Sequence, residues 1–109
     1  MDLAVDIHPV ALGFPKAELF GLTSQINRSA TSIPSNIAEG HGRRTKPDFI
    51  NFLSIARGSL NELKTQLTLA FRHGYISESV HDFFLNYCGE IGRMLNGLMD
   101  SLERRHSNS

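Results

Sequence analysis

The stretch that decides the fold class is Pro47–His73, PDFINFLSIARGSLNELKTQLTLAFRH. Its apolar side chains recur at alternating steps of four and three residues, at Phe49, Leu53, Ala56, Leu60, Leu63, Leu67 and Ala70. That spacing places them on one face of an α-helix, as in the heptad seam of a helical bundle. Thr45 suits the N-cap position and Gly74 a left-handed C-terminal cap. The pattern predicts a long helix over residues 47–73.

A second heptad pattern follows after a short turn and predicts a helix over residues 77–104. Ser77 is a suitable N-cap, and the polar residues after the predicted helix form a tail that we expect to fray. The repeating apolar positions are Val80, Phe84, Tyr87, Ile91, Met94, Leu98 and Leu102. Because the connection is short, this helix should pack antiparallel to the preceding one.

Upstream of residue 47 the sequence predicts two further helices. An apolar stripe from Leu19 to Ile37 runs through Pro34, which predicts one helix over residues 16–40 with a bend at the proline. Residues 2–12 predict a weak first helix, interrupted by Pro9. The expected fold is all-α, a single domain over residues 1–109 forming an antiparallel up-down four-helix bundle with a short, irregular first helix.

The last predicted helix has apolar or glycine residues over more than half of its circumference. A helix on the outside of a monomeric bundle needs an apolar stripe only a little wider than about 100°. We therefore predict a homo-oligomer interface on a second face of this helix. Its residues are Leu85, Cys88, Gly89, Gly92, Leu95 and Met99. The alternative is that the first helix covers part of this face and the glycines are tolerated defects.

Bulk composition indicates a soluble, cytoplasmic protein. The 109 residues carry no net charge, and the longest apolar runs fall short of the ~20 residues that span a membrane. Acidic residues stand near the N-terminus, where a signal peptide carries basic ones. The single cysteine, Cys88, cannot form an internal disulfide, which agrees with a reducing compartment.

Positive charge is concentrated in one predicted loop. Arg43, Arg44 and Lys46 are three of the eleven basic residues, and without them the chain has eight basic residues against eleven acidic ones. A solvated loop is one interpretation. The other is a flexible phosphate-contacting loop, with Arg28 as an additional contact, whose weak binding would be strengthened by repetition in an oligomer.

The sequence predicts no catalytic, metal or cofactor site. The five histidines show no pair at three- or four-residue spacing, and a cysteine on a helix flank is more often a small apolar residue than a nucleophile. Polar residues beside the apolar stripes predict a structural network instead. It would join Asn36 or Glu39 to Arg57 across two helices and fix their register.

Four segments resemble a known bacterial family, the four-helix bundle proteins encoded in intervening sequences of large-subunit ribosomal RNA genes. They are Phe20–Ile26, Ser32–Gly40, Phe52–Leu63 and Gly74–Ile76. The resemblance covers about residues 14–102 and implies an antiparallel bundle that assembles into ring-like pentamers. It extends to the accessory variability determinant of diversity-generating retroelements, a basic pentamer that binds nucleic acid. Two features depart from the family: the first helix is shorter and holds Pro9, and the net charge is zero.

These observations lead to one functional hypothesis and one alternative. The first is a non-enzymatic, oligomeric protein, a pentamer by resemblance, that binds structured RNA through Arg43, Arg44 and Lys46 together with Arg28. The alternative is a protein-interaction scaffold without nucleic-acid affinity. Neither requires a cofactor or a membrane.

Overall fold

A computed structural model describes the chain from residue 2 to residue 107, and its side chains up to residue 105. The elements are α1 (Leu3–Leu12), a 3₁₀ turn (Lys16–Glu18), α2 (Leu22–His41), α3 (Lys46–Arg72) and α4 (Glu78–Ser107). α2 packs most extensively on α3, α3 packs on α4, and α1 packs on α2. This arrangement confirms the predicted all-α bundle with a short first helix.

Local capping explains where α3 and α4 begin and end. The Thr45 hydroxyl accepts a hydrogen bond from the Asp48 amide at 3.2 Å, and the Ser77 hydroxyl accepts one from the Val80 amide at 3.2 Å. At the end of α3, Gly74 takes a positive φ of 79°, and the Tyr75 amide donates to the Ala70 carbonyl at 2.9 Å. That bond closes a Schellman motif, in which glycine adopts the left-handed conformation without strain.

The second helix passes through Pro34 without interruption, but it begins later than the predicted residue 16. Gly21, with φ −108° and ψ −110°, separates the 3₁₀ turn from Leu22, so the predicted helix is divided into two elements. Two residues beyond the proline, the Asn36 side-chain amide donates to the Ser32 carbonyl at 2.8 Å. A backbone carbonyl near the proline thereby gains a side-chain partner.

The inner face of α4 differs from the predicted seam. Its buried apolar residues are Phe84, Cys88, Leu95, Met99 and Leu102. Tyr87, Ile91 and Leu98 are only half-buried and Met94 is 60% exposed. We call Tyr87, Ile91, Met94 and Leu98 the second seam. Both seams have helical spacing, so the sequence alone could not decide which of them is the more deeply buried.

The set of residues that α4 buries overturns the predicted subunit interface. Cys88, Leu95 and Met99 lie in the chain's own core, where a second chain cannot reach them. Leu85 packs against that core, and Gly92 faces α3, since an added Cβ would lie 3.5 Å from Leu60 Cδ2. A Cβ at position 92 would thus be in ordinary van der Waals contact with α3. Gly89, the sixth predicted residue, is half-buried beside Arg93.

The first helix covers only part of the bundle's length. With ten residues it is about 15 Å long, whereas the thirty residues of α4 span about 45 Å. Its C-terminal end is fixed to α2, because the Thr23 hydroxyl donates to the Ala11 carbonyl at 3.2 Å. His8 Nδ1 also lies within hydrogen-bond distance of Asn27 Oδ1 on α2, at 3.2 Å. Asp2 caps the N-terminus of α1 by accepting from the Ala4 amide at 3.1 Å.

Close packing of α2 on α3 predicts opposite effects for two glycine substitutions. A Cβ at Gly40 would lie 2.7 Å from Phe49 Cδ1 and 3.1 Å from Phe52 Cβ, whereas one at Gly58 would have nothing within 4 Å. We expect Gly40→Ala to lower the free energy of unfolding by about 1–3 kcal/mol through overpacking. Gly58→Ala should raise it by about 0.5–1 kcal/mol. Urea unfolding followed by circular dichroism measures both, and a stabilised Gly40→Ala variant would contradict the packing.

Candidate nucleic-acid interface

The basic connection between α2 and α3 is short and held at both ends. At its start, the Gly42 amide donates to the Glu39 carbonyl at 3.2 Å and the Arg43 amide to the Gly40 carbonyl at 3.1 Å. At its end, Thr45 caps α3. The sequence predicts a flexible loop, but only residues 42–45 lie between the helices. The basic side chains therefore start from fixed backbone positions.

Arg43 is held by two neighbours in the structure. Its Nη2 atom lies 2.8 Å from Glu39 Oε1, one helical turn earlier, and its Cζ atom lies 4.6 Å from the centre of the Phe52 ring. The ion pair offsets its charge, and the cation–π contact restrains the guanidinium. Arg43 is thus less available to an external anion than the sequence indicates.

Arg44 and Lys46 differ from Arg43 in their pairing, although Lys46 is less exposed than Arg43. Arg44 is exposed and Lys46 is half-buried. The ion pairs formed within residues 2–105 involve neither of them. Both charges are therefore free to contact a phosphate.

Arg28 lies away from this connection. Arg28 lies thirteen positions before His41, the last residue of α2, which is about 20 Å along the helix. It lines a polar groove of about 580 Å³ between α2 and α3, together with Gln25, Ser29, Ser32, Ser59, Glu62 and Gln66. The structure does not bring Arg28 together with the other predicted phosphate contacts.

Two cations that the sequence analysis did not select lie at the same end of the bundle. Arg57 Nη1 donates to Asn96 Oδ1 at 3.0 Å, which fixes the antiparallel register of α3 and α4. Counting nine residues back along α3 and nine forward along α4 from this pair, Arg105 lies level with the first turn of α3. Arg104 precedes it, and α4 continues to Ser107 instead of fraying. Basic residues favour the negative end of a helix dipole, a signal already present in the sequence.

The predicted polar network takes a different form. The Asn36 amide donates to the Ser32 hydroxyl at 2.9 Å, and that hydroxyl lies 2.8 Å from the Ser59 hydroxyl on α3. Glu39 binds Arg43, and Arg57 binds Asn96 of α4. The predicted link from Asn36 or Glu39 to Arg57 is wrong, because Arg57 lies on the flank of α3 that faces α4. Ser32 and Ser59 connect α2 to α3 instead.

Metal-ligating side chains are dispersed in the described part of the chain. Residues 2–105 contain no group of three or more His, Cys, Asp or Glu side chains placed to hold a metal ion. Burial raises the pKa of the Cys88 thiol to about 11, despite the opposing charge of Lys64. Among the helices described, none combines the length and apolar character required to cross a bilayer.

Comparison with known proteins identifies related sequences and a related fold. The sequence model of the family described as 23S rRNA-intervening sequence protein matches residues 1–97. A crystal structure from Bacteroides thetaiotaomicron VPI-5482, described as a protein of unknown function from the S23 ribosomal protein family, is 31% identical. The match covers 88% of this chain and 87% of that one, with a TM-score of 0.78. Among curated proteins, none matches the sequence.

Burial of Cys88 predicts an unreactive thiol in the native protein. At pH 8, a thiol with a pKa of about 11 is ionised in only about one molecule in a thousand, and the thiolate is the reacting form. We expect Ellman's reagent to label the native protein slowly and to label one thiol per chain rapidly once urea unfolds it. Rapid stoichiometric labelling of the folded protein would contradict the buried position.

Proposed function

The chain belongs to the 23S rRNA-intervening sequence protein family, and we propose from this premise that it is a non-enzymatic helical bundle that binds structured RNA. The contact surface, which we call the basic end, comprises Arg43, Arg44, Lys46, Arg104 and Arg105. The observation that carries the proposal is that five of the eleven basic residues lie at one end of an uncharged chain. Arg28 lies outside this surface.

The chemistry of the basic end suits phosphate contact. Duplex RNA is recognised mainly through its shape, its phosphates and its 2′-hydroxyls, without the aromatic stacking used for single strands. Arg44 and Lys46 present free cations, while Arg43 is bound to Glu39. Four carboxylates (Glu39, Asp48, Asp100 and Glu103) occupy the same segments of the chain as these five cations. A small positive excess predicts weak, salt-sensitive binding by one chain.

Assembly into a homo-oligomer is a further part of the proposal. Several basic ends in one particle would act together on one RNA and raise its apparent affinity. The resemblance to the family implies a pentameric ring. We also propose a cytoplasmic location, where ribosomal RNA is present.

A protein-interaction scaffold is the second candidate function, and one exposed side chain favours it. Phe20 is 93% exposed, beside the half-exposed Leu19, in the connection that leads to α2. Exposed aromatic residues are typical anchors of protein interfaces. A protein captured from native lysate by the wild type but not by Phe20→Ser, with no RNA bound, would favour the scaffold over the RNA-binding protein.

Removal of the two free cations should weaken RNA binding more than removal of two cations elsewhere. We expect the Arg44→Ala/Lys46→Ala variant to bind a labelled RNA hairpin less tightly and to reduce the slope of log affinity against log salt by about one per lost contact. Lys16→Ala/Arg72→Ala, an equal charge change at the opposite end, is the control. Fluorescence anisotropy at several salt concentrations provides the measurement. Equal affinity of the two double variants would refute the basic end as the binding surface.

Release of Arg43 from its ion pair should strengthen RNA binding. Glu39→Gln removes the carboxylate that lies 2.8 Å from Arg43 and frees a positive charge at the basic end. We expect tighter hairpin binding and a steeper salt dependence. Glu62→Gln, an equal charge change on α3 in the polar groove, is the matched control. If both variants bind alike, the pairing of Glu39 with Arg43 does not control RNA affinity.

A further inference from the structure

The polar groove between α2 and α3 has the size and lining of a site for a small polar ligand. Its volume is about 580 Å³, and its walls run from Gln25 to Ser32 on α2 and from Ser59 to Gln66 on α3. Each wall spans about 10 Å along its helix. The lining residues carry hydroxyl, amide or charged groups, and none of them belongs to the hydrophobic core. The absence of an aromatic ring from the lining disfavours apolar ligands and ligands that stack.

One end of the polar groove is closed by hydrogen bonds between its walls. Ser32 Oγ lies 2.8 Å from Ser59 Oγ, and the Asn36 side-chain amide donates to the Ser32 hydroxyl at 2.9 Å. Ser29 lies about one turn away on α2 and is only 6% exposed, so the base of the groove contains a buried polar side chain. The walls are therefore held at a fixed spacing, which lowers the entropy cost of binding.

Opposite charges face one another across the middle of the polar groove. Because α2 and α3 are antiparallel, counting from the Ser32–Ser59 pair places Arg28 and Glu62 within about one residue of the same level. Both side chains are exposed, and the ion pairs formed within residues 2–105 include neither of them. The guanidinium and the carboxylate thus line the same groove without pairing, and each is available to a group of opposite charge.

The other end of the polar groove has an amide oxygen without a hydrogen-bond donor. Counting from the same serine pair places Gln66 level with Gln25. The Oε1 atom of Gln66 is buried and accepts no hydrogen bond from residues 2–105. A buried acceptor without a donor is unfavourable. A ligand that brings an N–H group to this end supplies the donor.

We propose that the polar groove binds a free α-amino acid with a polar side chain. The ligand's carboxylate contacts Arg28 and its ammonium contacts Glu62, through charge-assisted hydrogen bonds. An anion alone would meet the Glu62 carboxylate, and a cation alone would meet the Arg28 guanidinium, so a ligand with both charges fits better than either. The polar side chain of the ligand extends towards Gln66. Two exposed ion pairs predict weak binding, with a dissociation constant of about 1 mM.

Titration of the full chain with L-glutamine in the absence of RNA tests the site, with proton–nitrogen NMR as the measurement. We expect saturable shifts of the Gln25 and Gln66 side-chain amide signals. N-acetyl-L-glutamine lacks the ammonium and L-glutaminamide lacks the carboxylate, so each should bind about threefold or more weakly than L-glutamine. Equal shifts with all three compounds, or no saturable shift at the groove, would overturn the proposal.

Substitution of the two charged residues tests their roles in the polar groove. Arg28→Gln and Glu62→Gln should each weaken L-glutamine binding about threefold or more, because each removes one ion pair. The controls are Arg93→Gln and Glu103→Gln, equal charge changes at exposed positions of α4, which should leave binding unchanged. Circular dichroism checks that all four variants fold.

Two results would contradict the roles of these residues. Unchanged L-glutamine binding by Arg28→Gln and Glu62→Gln is the first. The second is a change in sedimentation mass caused by either substitution without ligand, since it would show that another copy of the chain covers the polar groove.

Discussion

The difference in length between α1 and α4 is the constraint on which the surface of this protein depends. The ten-residue α1 is about a third as long as the thirty-residue α4, so the bundle has four helices over about a third of its length and three over the rest. α4 keeps two seams of apolar residues as a result. The seam that contains Cys88 and Leu95 is buried in the core, and the seam that contains Met94 is left partly in water.

The contact between α2 and α3 provides the frame for the rest of the bundle. Gly40 lets the end of α2 approach Phe49, and the Ser32–Ser59 hydrogen bond joins the two helices near their middle. The same contact brings the four-residue connection into position, with Arg43 held by Glu39 and Phe52. The basic end is thus a consequence of helix packing. The register of α4 against α3 brings Arg104 and Arg105 to the same end.

Periodicity and capping residues were sufficient to predict the fold class. The alternating spacing of α3 and the cap residues Thr45 and Ser77 each act locally, so the chain alone contains that information. The burial of Cys88, Leu95 and Met99 was missed, because two seams of α4 satisfy the same periodicity and only packing against the other helices decides which is more buried. The partner of Arg57 was also missed, since it depends on which flank of α3 faces α4. The basic connection was identified from charge alone, but the pairing that partly neutralises Arg43 depends on the geometry of the helix end.

Proton–carbon NMR of methionine methyl groups tests the central claim most directly, namely that α4 has one seam buried in the core and another partly exposed to solvent. Met94 is 60% exposed in the single chain and Met99 is 5% exposed, so their methyl groups report on the two seams separately. On addition of a soluble paramagnetic relaxation agent, the Met94 methyl signal should broaden strongly, while the Met99 signal changes little. Equal broadening of the two methyl signals would contradict the account.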